Sequence, residues 1–170
     1  FSQNRPAGDQ ILQIEGLTKM NGDKPFFKNL DLFVNKGDKI AIVGKDSLAI
    51  TTLFKVLMGE LKADSGSFKF GQTISTAYLP NENHSFFTGD ENLIDWLRKY
   101  SDGEKDEVFI RGFLGKMLFS GQETLKKTNV LSGGEKVRCM LSKMMLNGAN
   151  LLILDEPTNH LDMESIIAFN

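Results

Sequence analysis

Residues 151–162 read LLILDEPTNHLD. An unbroken aliphatic run closed by two acids describes a strand covered on both faces that delivers carboxylates to a sheet edge. Asp155 would emerge there and hold the water shell of a Mg²⁺ ion next to phosphates. Glu156 is next in line to orient or deprotonate an attacking water. A lone acid after a strand is more often a helix cap. The adjacent Glu156, and a hydroxyl in register far upstream at Thr51, turn the reading toward chemistry.

The stretch before it carries a second signal. Leu131, Ser132, Gly133, Gly134 and Glu135 spell LSGGE, and S-x-x-E is a capping box. Ser132 would cap a helix over 134–146 whose Val137, Met140, Leu141, Met144 and Met145 share one face. A capped start with two glycines also lets backbone N–H groups approach an anion. The bland reading and the functional one are compatible.

Further upstream, KIAIV (39–43) predicts another strand covered on both faces, and GKDSLAITT (44–52) follows it. A phosphate-binding loop reads G-x-x-x-x-G-K-[ST] after a strand. Gly44 and Thr51 stand in register, whereas Ala49 replaces the second glycine and Ile50 the lysine. Lys45, Asp46, Ser47, Leu48 and Thr52 complete the stretch. The loop is expected to run to Ile50, and TTLFKVLMGEL to form a helix on Leu53, Val56 and Leu57. Thr51 would offer its hydroxyl to the same Mg²⁺ as Asp155.

The remainder frames these motifs. ILQIEGL and residues 28–34 alternate as half-buried strands around the turn NGDKP, and SFKF and ISTAYL are two short strands. Residues 91–100 and 107–119 predict two helices, part of a helical subdomain over about 85–135. His84 reads as a surface loop residue. Strand, loop, helix, helical insert, helix and strand imply an α/β fold with a mainly parallel core.

With 170 residues, 41% of them hydrophobic, the chain suits one domain, and a net charge of -2 gives no global pull toward nucleic acid. Cys139 is the only cysteine, which excludes an internal disulfide and fits a reducing compartment. No apolar run approaches the roughly 20 residues of a membrane span. The polar residues 1–10 read as the end of a linker, and IIAFN breaks off in mid-pattern, as in a piece of a longer protein.

LSGGE and LDEPTNHLD in this order, downstream of a strand-loop-helix with Gly44 and Thr51 in register, closely resemble the nucleotide-binding domain of the ATP-binding-cassette (ABC) family from about Ile11 onward. The resemblance implies a P-loop NTPase of the ABC type, with a small antiparallel β region and a helical insert over 11–170, incomplete at its C-terminus. PTNHLD looks like the F subfamily, soluble paired cytoplasmic ATPases that act on ribosomes, and the chain is most similar to the second domain of one bacterial branch. Such cassettes pair head to tail, so LSGGE would serve ATP held by the first domain of the same chain. His160 and Asp162 fall in the loop that crosses that interface in the family, where a structural role suits His160 better than catalysis.

The departures cluster in one place. Ile50 removes the lysine that neutralises β- and γ-phosphate oxygens; a hydrogen bond to a charged group is worth roughly 1.5–3 kcal/mol, or on the order of ten- to a hundredfold in affinity. Side chains at Ser47 and Ala49 crowd the loop where the family has glycine. Met20 and Asn21 replace the adenine-stacking aromatic in the loop after the first strand, and Asn81 replaces the longer glutamine of the family's lid. LSGGE and LDEP are intact, so an asymmetric ATPase is the first expectation, with this fragment inactive alone. An ATP-dependent clamp that does not hydrolyse is the second, and a transporter motor subunit the third.

Overall fold

The computed structural model describes residues 3–101, 106–159 and 161–169. They form two compact units. One comprises Arg5–Tyr78 and Asn150–Asp155; the other the described residues up to Asn4, Leu79–Ala149 and those from Glu156 onward.

The first unit is built on a long antiparallel hairpin. Strand β1 (Gln10–Asn21) pairs with β2 (Lys24–Asn35), and Asn21 opposite Lys24 leaves Gly22 and Asp23 as the turn. Gly22 has φ +60°, the left-handed conformation such tight hairpin loops require. On the other side of β1 lies β3 (Ser65–Phe70), also antiparallel, for an order β2-β1-β3. The ladder shifts register between Glu15 and Thr18, where Gly66 faces Gly16. A Cβ on Gly66 would stand 2.3 Å from the Gly16 carbonyl oxygen, so only glycine permits that approach.

Helix α1 (Ser47–Leu57) closes this core. Leu53, Val56 and Leu57 pack with Ile11, Leu12, Ile14 and Leu17 of β1. The helix begins at Ser47 rather than after Ile50, because the Asp46 carboxylate caps it by accepting from Leu48 N. Residues 18–21, expected as a loop, continue β1 because β2 supplies partners as far as Asn21. A smaller sheet pairs β4 (Thr76–Leu79) with β5 (Leu151–Leu154).

Residues 39–43 depart from expectation. KIAIV is irregular, and Ile40, Ile42 and Val43 are exposed, Val43 at 90%. Its alternation-free apolar pattern needs ladder partners and cover on both faces; among the described strands, β4 and β5 pair with each other and not with this stretch.

The second unit is helical. α2 (Leu93–Arg98), α3 (Glu107–Lys116), α4 (Gly133–Asn147) and α5 (Met163–Phe169) carry it, with short 3-10 turns between them. Asn92 and Asp106 cap α2 and α3. Trp96 and Leu97 of α2, Ile110 and Leu114 of α3, and Met140 and Leu141 of α4 are all buried. The Trp96 ring stacks on Phe87 at 4.8 Å, and its indole N–H donates to the Phe86 carbonyl at 2.7 Å, so the one polar atom of a buried ring is satisfied. α4 ends at Gly148, with φ +57°. The fold is thus α/β with an antiparallel β region and a helical region.

Candidate functional site

Two constellations emerge, one in each unit. In the first, Thr51 on α1 donates its hydroxyl to Asp155 Oδ2 at 2.7 Å. Asp155 follows the end of β5 and is 2% exposed. Thr51 and Asp155 are therefore brought together across 104 residues of chain, as their motif spacing requires. A hydroxyl and a buried carboxylate are hard oxygen donors, the kind of ligand Mg²⁺ takes. Tyr78 of β4 lies close by; burial pushes its phenol above the ordinary value, and the negative charges of Asp155 and Glu60 add to the shift.

The loop around this pair holds its own side chains. The Asp46 carboxylate accepts from Leu48 N at 3.0 Å, and Ala49 N donates to the Asp46 carbonyl at 3.2 Å. These are amides at a helix start, the groups an incoming phosphate would use. Ile50 lies near Gly44: a Cβ on that glycine would be in ordinary contact, 3.6 Å from Ile50 Cδ1. Lys45, Ser47 and Leu48 face solvent, and Thr52 is buried in the core.

The second constellation is the start of α4. Ser132 is its N-cap; its Oγ accepts from Glu135 N at 3.3 Å while Glu135 Oε2 accepts from Ser132 N at 2.8 Å. The predicted capping box is formed. Leu131 is buried, whereas Ser132 and Gly133 are exposed. Lys126 reaches the other Glu135 oxygen, Oε1, at 2.6 Å. Burial would raise the Glu135 pKa, but hydrogen bonds from Lys126 and from Ser132 hold the carboxyl below its usual range.

A concavity of about 350 Å³ opens there, lined by Ser132, Gly133, Gly134, Glu135, Arg138, Asp162 and Ser165. Asp162 accepts from Ser165 N at 2.8 Å, so it caps the turn into α5. That bond, with help from the Arg138 charge, keeps its carboxyl below the ordinary value. The Arg138 guanidinium lies over the Phe119 ring at 4.6 Å. Sequence reading passed over Arg138 and Ser165. Arg138 had a signal, three residues after Glu135 and hence on the same side of the helix.

Glu156 adopts φ +50°, unusual for a residue with a side chain. Asn159 engages it twice, donating its N–H to the Glu156 carbonyl and its side-chain amide to Oε2. Asn81 is half-buried just past β4. His84 is exposed, as expected, with Nδ1 3.1 Å from Lys136 Nζ. His160 lies outside the described residues.

The ABC transporter family profile matches residues 27–159. The ABC transporter ATP-binding protein YkpA of Bacillus subtilis is 58% identical over the whole chain, which covers 32% of YkpA. The energy-dependent translational throttle protein EttA of Haemophilus influenzae is 34% identical over 95% of the chain and 29% of EttA. The chain thus spans about a third of the length of these relatives. Among solved structures, the ATP-binding cassette MJ0796 in a dimeric post-hydrolysis state with ADP and Pi superposes with a TM-score of 0.76. That likeness covers 94% of this chain and 79% of the cassette at 16% identity, and so speaks for the fold.

Proposed function

Because the chain belongs to the ABC transporter family of ATP-binding cassettes, we propose that it is the second nucleotide-binding domain of a cytoplasmic ABC-F ATPase, one of a head-to-tail pair linked to translation. Residues 1–10 would be the end of a linker and 11–170 the domain. EttA, a translational throttle protein by name, is the relative that motivates the link.

The observation that carries the reading is a contrast within one chain. The signature loop is preformed: Ser132 and Glu135 cap each other, and Gly133 and Gly134 open onto a concavity that can take a phosphate. In the phosphate loop the Asp46 carboxylate occupies the Leu48 amide, and Ile50 stands where the lysine of the spacing would be. The domain accordingly binds ATP weakly at its own loop and lends Ser132, Gly133 and Gly134 to ATP held by the first domain. Thr51 and Asp155 would hold Mg²⁺ at the weak site; Glu156 is the proposed residue for orienting water and Asn81 the proposed lid residue. Such an ion shields phosphate charge while water attacks. His160 and Asp162 would lie at the interface between the paired domains.

Ser132→Arg in the full-length protein tests this reading. It places a bulky cation where the phosphate of the partner's ATP should enter, and most turnover is expected to be lost. Undiminished turnover overturns the assignment of the signature loop. Ala49 and Ile50 in place of glycine and lysine also favour a second reading, in which this domain closes as a clamp on ATP without hydrolysing any itself. Steady-state hydrolysis by the full-length protein, with and without ribosomes, separates the two: a clamp binds ATP in both conditions and turns none over.

A further inference from the structure

Lys126 belongs to none of the motifs, yet it is the residue that completes the signature loop. Glu135 has two carboxylate oxygens and uses both. Oε2 accepts from the Ser132 amide at 2.8 Å, and Oε1 meets the Lys126 ammonium at 2.6 Å. Glu135 is 9% exposed, so its charge has left most of its water, and hydrogen bonds from charged donors are the strong replacements. A carboxylate held on one oxygen alone can rotate about its terminal torsion, which is broad and soft. Held on both, it keeps Ser132 in place.

The backbone around Lys126 is anchored on both sides. Lys126 N donates to the Glu123 carbonyl at 3.1 Å, and Thr128 donates from N to Glu91 O at 2.9 Å and from Oγ1 to Gly89 O at 2.8 Å. The 3-10 turn before it, Gly121–Leu125, is tied to α3 through Arg111 Nη1, which donates to the Gly121 carbonyl at 3.2 Å. The lysine stem therefore starts from a fixed point. Glu123 and Arg138 act on the Lys126 charge with opposite signs, but only Glu135 makes a hydrogen bond to it among the described residues.

We propose that Lys126 is a positioning residue of the signature loop: by holding Glu135 it fixes Ser132 and the glycine amides that receive the phosphate of ATP bound by the partner domain. The assignment rests on the composite-site reading above. The Lys126 side chain is 44% exposed, so its loss costs only the part of the cap that the ion pair supplies, and the positioning role is read from KM rather than from melting.

The test compares Lys126→Met, Lys126→Gln, Lys126→Arg and Ser132→Arg in the full-length protein, by steady-state ATP hydrolysis and thermal melting. A residue that shapes phosphate binding changes KM. For the Met and Gln variants, KM for ATP is expected to rise about tenfold, the loss of one hydrogen bond at the charged site, with kcat within about twofold. Arginine keeps the charge and the donors and restores KM to within about twofold. A merely structural lysine would lower the melting temperature and the active fraction while leaving KM unchanged. Unchanged KM in both neutral variants, with Ser132→Arg inactive, overturns the role of Lys126 alone. Full turnover in Ser132→Arg overturns the composite-site reading, and Lys126 with it.

Discussion

At the scale of single residues, the weak binding proposed for residues 44–52 turns on charge and on the amides at the start of α1. Asp46 and Ile50 would act on the proposed phosphate site in two ways, one placing a carboxylate on a helix-start amide and one withholding the lysine's charge. Their effects should therefore be non-additive. Ile50→Lys with Ala49→Gly is expected to tighten Mg-ATP binding about tenfold by calorimetry, and Asp46→Asn added to that pair to tighten it further by more than it does alone. Equal effects of Asp46→Asn in both backgrounds would show that the carboxylate does not compete with phosphate. Glu156 makes a second prediction. If hydrolysis takes place only at the first domain's phosphate loop, Glu156→Gln in full-length protein leaves turnover within about twofold. General-base loss at a working site would instead cost about a hundredfold or more. Its φ of +50° also implies local strain of order 1 kcal/mol, so Glu156→Gly should melt no lower than the parent.

At the scale of elements, α4 is specified at both ends. Ser132 and Glu135 cap its start and Gly148 its end. Gly148→Ala should cost about 1 kcal/mol or more in urea unfolding, since φ of +57° disfavours a Cβ and that Cβ would meet the Asn4 side chain at 2.3 Å. The cap is also pH-linked. The folded state holds the Glu135 carboxyl below its unfolded value through Lys126 and Ser132, against the cost of burial. Its stabilisation is thus complete above the unfolded carboxylate range and fades as pH falls through the lowered folded value. Lys126→Met should flatten that acid loss, read as the difference in melting temperature between neutral pH and about pH 4. Identical slopes for the two proteins would mean the ion pair contributes nothing to the linkage.

At the scale of the whole molecule, the chain accounts for about a third of the length of its relatives, and the activity proposed is one of a paired-domain protein of their length. The fragment alone should bind Mg-ATP no tighter than millimolar and hydrolyse none detectably. Micromolar binding would mean that backbone amides, Thr51 and Mg²⁺ suffice without the lysine. Ribosomes should raise the turnover of the full-length ATPase, and a rate indifferent to them would remove the translation link. Among the described residues no helix is long and apolar enough to cross a membrane.

The motifs and most of the helices could be read from residue order alone. A capping box, the spacing of Leu53, Val56 and Leu57, and the alternation in β1 are local signals, set by pairs of residues within a turn or a pleat. The departures at Ala49 and Ile50 from the G-x-x-x-x-G-K-[ST] spacing are legible in residue order in the same way. What residue order did not reveal were relations between distant segments. KIAIV has a strand's composition, but a strand exists only with a ladder partner, and that depends on which segments meet. The early start of α1 turned on whether the Asp46 carboxylate faces solvent or the Leu48 amide. Lys126 carried no motif; its meaning came from a 2.6 Å contact with Glu135 across a folded loop. Short-range geometry is encoded by neighbours in sequence, whereas burial, pairing and the partner of a charge are settled only when the chain closes on itself.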